Sequence, residues 1–481
     1  MSQFPLETIV AWAKRKGFVY PNSEIYGGLA NAWDYGPYGS QLKKNIADLW
    51  INYFVTQRDD MVLMDTAIIA NPQTWVASGH AGAFGDALID DKKTNQRFRA
   101  DKILEDWISK KNITVEFLSK YEVDNLIPES WGNEKMAEVI RAEIPNNPDT
   151  GKPAEWTDAR QFNLMLQTQL GVIEDATAKA YLRPETCQSL FTNFKNLTNT
   201  TRMRVPFGMA QVGKAFRNEI TPGQFLYRTR EFEQMEIEYF VENDLEKSKE
   251  YFEMWKELSM KFWQEQIQLK AENLRFREHE KDELSFYSAG TFDVEYNYPR
   301  GWGELQGIAN RTDYDLTQHQ TVSKQDLQYH DPKTGARYIP YVIEPSFGLS
   351  RTVMAVMMDC YEEETLTKQN SDGSVSTDTR TVIRFPFQIA PVKYAILPLI
   401  EKNIDMVELG EKIFHKLKKQ FNCEFDLGGA IGKRYRRQDE IGTPYCICVD
   451  HQSLEDGTVT IRDRDTMEQV RVKWEDIGSD R

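Results

Sequence analysis

In GSQLKKNIADLWINYFVTQ, just past Gly36-Pro37, the positions Leu42, Ile46, Leu49 and Tyr53 recur at helical spacing and predict an amphipathic helix over about residues 39–57. MVLMDTAIIA then reads as a strand closed by Asn71-Pro72. Residues 85–175 are more polar, read as largely helical, and are broken by the turn cluster PNNPDTGKP, as expected of an insertion between two blocks of a core. At 216–240, FRNEITPGQFLYRTREFEQMEIEYF, the period changes to two, predicting two strands joined by a loop that holds Pro222 and Gly223. In the second strand Arg228, Arg230, Phe232, Gln234, Glu236 and Glu238 share one face, and Met235, Ile237 and Tyr239 share the other. Arg217 and Glu219 share a face of the first strand. A Glu- and Lys-rich helix is predicted at about 244–272, strands at 291–298, 303–310 and 338–346, and a helix through SRTVMAVMMDCYEEE. The polar run 362–381 reads as a domain boundary. Beyond it PVKYAILPL, VELGEKIFHKLKKQ, YCICVD and TVTIRD alternate strand and helix, which predicts a small α/β domain.

At 481 residues the chain has room for two to four domains. No apolar run approaches the ~18 residues of a membrane span, and the N-terminal segment has no signal-peptide pattern, so a cytoplasmic protein is expected. Five scattered cysteines without CxxC spacing argue against a disulfide framework or a structural zinc site. The net charge of −15 argues against a protein that coats nucleic acid non-specifically. It leaves room for a local patch at Lys433, Arg434, Arg436 and Arg437, which reads equally well as a solvated helix end or as a contact for phosphates.

The charged face of the 216–240 pair is the first chemical signal. Guanidinium forks suit phosphate oxygens, a ring face suits a base, and carboxylates suit amines or a metal. A half-exposed strand with a solvated charged face shows the same alternation. GMAQVGKA at 208–215 misses a phosphate-binding loop because Ala215 stands where Ser or Thr must hold Mg²⁺, and GWGELQG at 301–307 misses the dinucleotide fingerprint. The six histidines form no ligand spacing, and His80 and His279 read as ordinary polar residues. Three carboxylates stand in tight or apolar contexts: Glu185 in RPETCQ, Glu304 in GWGELQG, and Glu344 in YVIEPSFGLSR, which runs on to Arg351. A carboxylate ending a buried strand must be paired, hydrogen-bonded or bound to a ligand.

Arg217-x-Glu219, a loop, Arg228-x3-Phe232-x3-Glu236 and a distant Gly348-x2-Arg351 resemble motifs 2 and 3 of class II aminoacyl-tRNA synthetases, and the helix and strand at 39–72 resemble motif 1. More narrowly, EIYGGLANAWDYGPYG, RPETCQ, GIANRTDYDL, EPSFGLSR and RRQDEIGTP, with the 216–240 segment, resemble the dimeric, single-subunit glycyl-tRNA synthetase family over nearly the whole chain. The resemblance implies an α/β (α+β) fold: an antiparallel class II sheet flanked by helices, an inserted helical region, and a C-terminal α/β anticodon-binding domain. It implies core at 1–84 and 176–380, the insertion at 85–175 and the anticodon-binding domain at 385–481. It also implies a ligase that joins glycine to tRNA(Gly) through glycyl-adenylate, using ATP and Mg²⁺, acting as a homodimer with no membrane partner.

Residue by residue, the resemblance implies that Arg217, Glu219 and Arg351 are catalytic. ATP would be bound by Arg217, Asn218, Glu219, Tyr227, Arg228, Thr229, Arg230, Glu231, Phe232, Glu304, Leu305, Gly348, Leu349, Ser350 and Arg351, with Phe232 and Arg351 sandwiching the adenine and Glu304 beside Mg²⁺. Glycine would be bound by Arg99, Glu185, Phe232, Glu233, Gln234, Met235, Glu236, Glu344, Pro345, Ser346, Phe347 and Gly348. The anticodon-domain resemblance turns Lys433, Arg434, Arg436 and Arg437 toward tRNA phosphates. A pocket crowded with carboxylates can hold an ammonium while leaving no room for a methyl group, so no editing domain is expected. A non-catalytic binding subunit of the same fold would be marked by lost motif arginines, and all of them are present here. Two departures from the family stand out. Asp91 and Thr94 lie where many members carry cysteines, and Cys187 and Ser189 lie where small residues are expected.

Overall fold

A computed structural model of the chain describes residues 4–83, 85–171, 179–220, 222–279, 289–369 and 375–478. Its centre is a seven-stranded sheet of β1 (Met61–Leu63), β2 (Phe207–Phe216), β3 (Glu231–Val241), β4 (Leu274–Glu278), β5 (Gly290–Tyr298), β6 (Gly301–Thr312) and β7 (Tyr341–Gly348). The order is β4-β5-β6-β7-β3-β2-β1, antiparallel throughout except that β1 runs parallel to β2. The mixed α/β class and the class II antiparallel sheet agree with the sequence reading.

One face of this sheet is dry. Helices α1 (Pro37–Ile51), α2 (Leu245–Lys261) and α3 (Leu349–Cys360) lie against it. Phe347 is the hub, with its ring 5.3 Å from Phe54 and 5.6–5.9 Å from Trp263, Trp50 and Phe262. Met235, Ile237 and Tyr239 of β3 enter the same core, as the alternation predicts. Helix α1 begins with proline at its first turn, where the missing N–H costs nothing. It can approach the N-terminal segment only because residue 39 is glycine: a Cβ there would stand 1.9 Å from the Phe18 carbonyl oxygen.

Two expectations need correction. The first strand of the 216–240 pair ends at Phe216 and the second starts at Glu231. Arg217, Glu219, Arg228 and Arg230 therefore sit on the connecting loop rather than on strand faces; Pro222 and Gly223 lengthen the turn beyond a tight hairpin. The insertion is mixed rather than mostly helical. Gln96–Arg99, Gly85–Asp91 and Arg160–Asn163 form a three-stranded sheet, with helices Ala100–Lys111 and Asn133–Glu143 on a separate core around Ile89, Leu104, Ile140 and Trp156. Its strands are short and rich in charged residues, which hides the period-two signal. The polar run 362–381, read as a domain boundary, is in its described part an antiparallel hairpin, Tyr361–Gln369 with Val375–Ile383. Tyr361, Val382 and Ile383 bury its base and ion pairs from Arg380 and Arg384 fasten the rest; residues 370–374 of that run lie outside the described residues.

The departure at Asp91 has a physical counterpart. Its buried carboxylate accepts from Asn147 Nδ2 at 2.9 Å, the Glu155 amide at 3.0 Å, the Lys93 amide at 3.1 Å and Thr94 Oγ1 at 2.7 Å. Four hydrogen bonds thus tie the tip of the insertion together.

Beyond the hairpin, β8 (Tyr394–Pro398), β9 (Cys423–Phe425), β10 (Tyr445–Val449), β11 (Thr458–Asp463) and β12 (Gln469–Lys473) form a second sheet in the order β9-β8-β10-β11-β12. Helices α4 (Ile404–Leu417) and α5 (Ile431–Asp439) complete the predicted α/β unit. All five cysteines are buried thiols. Among the described residues no helix is long and apolar enough to cross a membrane.

Candidate active site

The polar face of β3, the end of β7 and the 217–230 loop enclose a cavity of about 390 Å³. Period two on β3 turns Gln234 and Glu236 into it while Met235 goes to the core. β7 contributes Glu344, Ser346 and Gly348, the start of α3 contributes Ser350 and Arg351, and β6 contributes Glu304 and Arg311. Glu185 arrives from the turn before the helix Gln188–Thr200.

One end of the cavity is a nest of carboxyl groups. Glu236 is the best satisfied: Oε2 accepts from the Thr186 amide at 3.0 Å and from the Thr186 hydroxyl, and Oε1 accepts from Ser346 Oγ at 2.7 Å and Gln234 Nε2 at 3.0 Å. Glu185 accepts from Cys187 Sγ at 2.9 Å and Gln188 Nε2 at 3.1 Å, and its other oxygen lies 3.3 Å from His80 Nε2. Cys187 thus fits beside Glu185 as a donor. Arg311 grips Asp315 with two nitrogens at 2.7 and 2.9 Å and Glu344 with a third at 2.8 Å. Burial raises the Glu236 and Glu344 carboxyls, with neighbouring glutamates adding to it, and Glu344 reaches about 8. At Glu185 burial acts the same way, but His80 and Arg311 outweigh it and hold the carboxyl well below its ordinary range. The pocket therefore keeps negative charge at Glu185 while other carboxyls are pushed toward neutrality.

The other end is arranged for an anion and a flat ring. Arg217 donates from Nε to the Pro184 carbonyl at 3.0 Å, and its guanidinium stands 5.4 Å from the Phe232 ring centroid. Arg351 lies 4.3 Å from the Tyr227 ring centroid and 3.0 Å from the Glu304 carboxylate. Burial disfavours charge on both partners, and their mutual attraction prevails, so Arg351 is raised and Glu304 lowered. Asp293, bound to His279 at 2.8 Å, lies beside Glu304 on the same wall.

Sixteen residues expected at the site line this one cavity: Glu185, Arg217, Glu219, Tyr227, Arg228, Thr229, Phe232, Glu233, Gln234, Glu236, Glu304, Glu344, Ser346, Gly348, Ser350 and Arg351. Others do not. Met235, Leu305, Phe347 and Leu349 point into the hydrophobic core, because alternate positions of a strand face opposite sides and Leu349 opens a buried helix. Arg230 and Glu231 line an adjoining cavity, with Trp33, Lys43 and Lys214. Asn218 and Pro345 are outside the lining, and the Asn218 amide bonds the Leu164 carbonyl at 2.8 Å. Arg99 is held in the insertion by Asp86 and Asp101. In the C-terminal sheet, Arg434 is a correction. It is 1% exposed and donates to the carbonyls of Pro398, Leu399 and Asp426, because the helix turns it toward the sheet. Arg436 and Arg437 remain near the surface, paired with Asp378 and Asp426.

The sequence reading passed over His80, His279, Asp293, Thr186 and Arg311. His80 has no ligand spacing in the sequence, yet the fold carries it onto Glu185 from over a hundred positions away. Arg311 had a usable signal: in GIANRTDYDL it stands four residues before Asp315, the carboxylate it pairs with.

Comparison with known proteins agrees with this geometry. Residues 171–360 match the tRNA synthetase class II core domain (G, H, P, S and T), and residues 393–479 match the anticodon binding domain. The chain is 54% identical over 472 residues to a glycine–tRNA ligase of Lachnoclostridium phytofermentans, covering 98% of this chain and 97% of that one. It is 52% identical over 474 residues to the glycine–tRNA ligase of Ruminiclostridium cellulolyticum, and 51% identical over 476 residues to that of Acetivibrio thermocellus, each at 98% and 97% coverage. Motifs, sheet and full-length identity converge, and the chain belongs to the glycine–tRNA ligase family.

Proposed function

We propose that this chain activates glycine with ATP and transfers it to the 3′ end of tRNA(Gly), and that the cavity between β3, β7 and the 217–230 loop carries both steps. The observation that supports it most is the convergence of Glu185, Glu236, Glu344 and Ser346 with Arg217 and Arg351 in one cavity. Glycine offers only an ammonium and a carboxylate. Glu185 and Glu236 receive the ammonium, and Ser346 and Thr186 hold the Glu236 carboxylate in place. The glycine carboxylate attacks the α-phosphorus of ATP in line, and pyrophosphate leaves. Arg217 stabilises the charge growing on the α-phosphate, and Arg228 holds the γ-phosphate. Phe232 and Arg351 clasp the adenine, which requires Arg351 to exchange part of its contact with Tyr227 for the base. The terminal ribose hydroxyl of the tRNA then attacks the glycyl carbonyl and AMP leaves; no covalent enzyme intermediate is needed.

Glu304 and Asp293 are oxygen donors on one wall, which suits a hard divalent cation. They would hold Mg²⁺ with ATP, and the ion would neutralise phosphate charge. Residues 1–84 and 176–380 form the catalytic core, 85–175 an insertion and 385–481 the anticodon-binding domain. Lys433, Arg436 and Arg437 meet tRNA phosphates there, an assignment supported by the exposure of Lys433 and Arg437 and the half-exposed place of Arg436 on α5. The working form is a cytoplasmic homodimer, which light scattering tests directly.

Pyrophosphate exchange without tRNA, run across the amino acids, tests the reading. Exchange with glycine alone is expected. Exchange with alanine or serine but not glycine would overturn the specificity, and no exchange with any amino acid would overturn the reaction.

A further inference from the structure

One carboxyl of the nest has no part in the reaction as described. Glu238 follows Glu236 on the same face of β3, is fully buried, and has no hydrogen-bond partner on either carboxyl oxygen. A buried carboxylate without a hydrogen bond is too costly to persist, so the group must be neutral or must find a partner.

The sheet register names that partner. β3 and β7 pair Glu236 with Ser346 and Tyr239 with Ile343, which sets Glu238 directly opposite Glu344 across Pro345. Facing residues on one side of an antiparallel pair hold their Cβ atoms about 4.5–5.5 Å apart, and like charges in such a pair repel. Two glutamates are thus set face to face among buried side chains. The charged and titratable groups around them are Arg311 on β6, Asp315 behind it, Glu236 on the same strand, and Cys187 and Glu185 from the turn before the Gln188 helix. Single atoms of Cys187, Glu236 and Glu238 lie within 4.8 Å of one another. Carboxyls outnumber cations here, and Arg311 is already engaged with Asp315 and Glu344.

We propose that Glu238 is a positioning residue that shares one proton with Glu344 beneath the glycine pocket, and that the incoming glycine ammonium displaces this proton to solvent and takes over its place as the positive partner of both carboxylates. The step balances: one ammonium enters, one proton leaves, and no other bond changes. The empty pocket is thereby kept from excess negative charge, and a full carboxylate appears at Glu344 only when there is an ammonium to meet it. This rests on the reading of the cavity as the glycine site. Burial raises both carboxyls, Glu238 well above the ordinary range and Glu344 to about 8, in keeping with a retained proton. The sign follows: a cation entering beside a carboxyl lowers its proton affinity, so glycine binds more tightly as pH rises toward 8.

The test is calorimetry of glycine binding to the full chain near pH 7.5 in phosphate and in Tris, whose ionisation enthalpies differ. The wild type is expected to release roughly half to one proton per glycine, and its glycine KM should fall about three- to tenfold per pH unit between about pH 6 and 8. Glu238→Gln, which mimics the neutral acid, should cut the release to below about 0.2 proton and flatten the pH profile, leaving the KM for ATP unchanged. Glu238→Asp should restore both. Release that persists in Glu238→Gln overturns the proposal. If that variant does not fold, the wild type still decides: binding heats equal in the two buffers overturn it, and unequal heats with the expected pH slope support it. Failure of glycine to bind at all would instead sink the reading of the pocket.

Discussion

In the C-terminal part of the molecule, buried Asp439 accepts from Arg380 Nε at 2.9 Å and from Arg462 at 2.9 and 3.2 Å. Arg380 spends its remaining nitrogens on Glu364 at 2.9 Å and the Arg464 carbonyl at 2.6 Å. Under the catalytic sheet the arithmetic is different. Glu185, Glu236, Glu238 and Glu344 crowd around Arg311, and Glu238 is left with neither oxygen bonded. The first cluster is closed: each charge meets an opposite charge or a carbonyl, and the result is a hairpin fastened to the second sheet. The second is open: its carboxyls crowd around Arg311, and Glu238 keeps both oxygens unbonded. Buried charge is costly in either setting, so balance marks structure and imbalance marks a ligand site.

Breaking the closed cluster should have the largest effect. Asp439→Ala strands two buried guanidinium groups and is expected to cost about 3–5 kcal/mol in urea unfolding. Glu238→Gln in the open cluster should cost only about 1 kcal/mol. Equal losses would erase the distinction between them. Next comes Arg217→Ala, expected to lower pyrophosphate exchange by about 10²–10³-fold through kcat, with glycine binding by calorimetry little changed. A loss confined to KM would move Arg217 out of the reacting centre. Glu236→Gln should raise the glycine KM about ten- to a hundredfold, the worth of a charged hydrogen bond, and spare the KM for ATP. The smallest effect belongs to the surface. Arg436→Ala should weaken tRNA binding a few-fold and reduce its salt slope by about one, with exchange intact. Arg434→Ala, by contrast, should lower the melting temperature and leave that slope unchanged, since its guanidinium holds backbone carbonyls.

Much of the site was legible because its residues lie on short, regular elements. Gln234 and Glu236 follow from the two-residue period of β3, and Glu344, Ser346 and Arg351 from a strand running through Pro345 into a helix. The misreadings have physical causes. Arg217 and Arg228 were placed on strands although a 217–230 loop carries them, since polar loop residues mimic alternation. The hairpin starting at Tyr361 gave no strand signal because most of its side chains are polar. His80 gave no local sign of meeting Glu185. Arg434 and Arg436 sit in one basic run, yet the 3.6-residue helical turn buries the first and leaves the second near the surface.

The sequence alone determined the class of the fold, the order of its motifs and, through their resemblance, the family, because these are written in local periods and fixed spacings. Only the tertiary structure decided which carboxyls face one another. Glu238 and Glu344 are over a hundred residues apart, and nothing local links them. The register of β3 against β7 sets one opposite the other among buried groups, where proximity and low polarity raise the proton affinity of both.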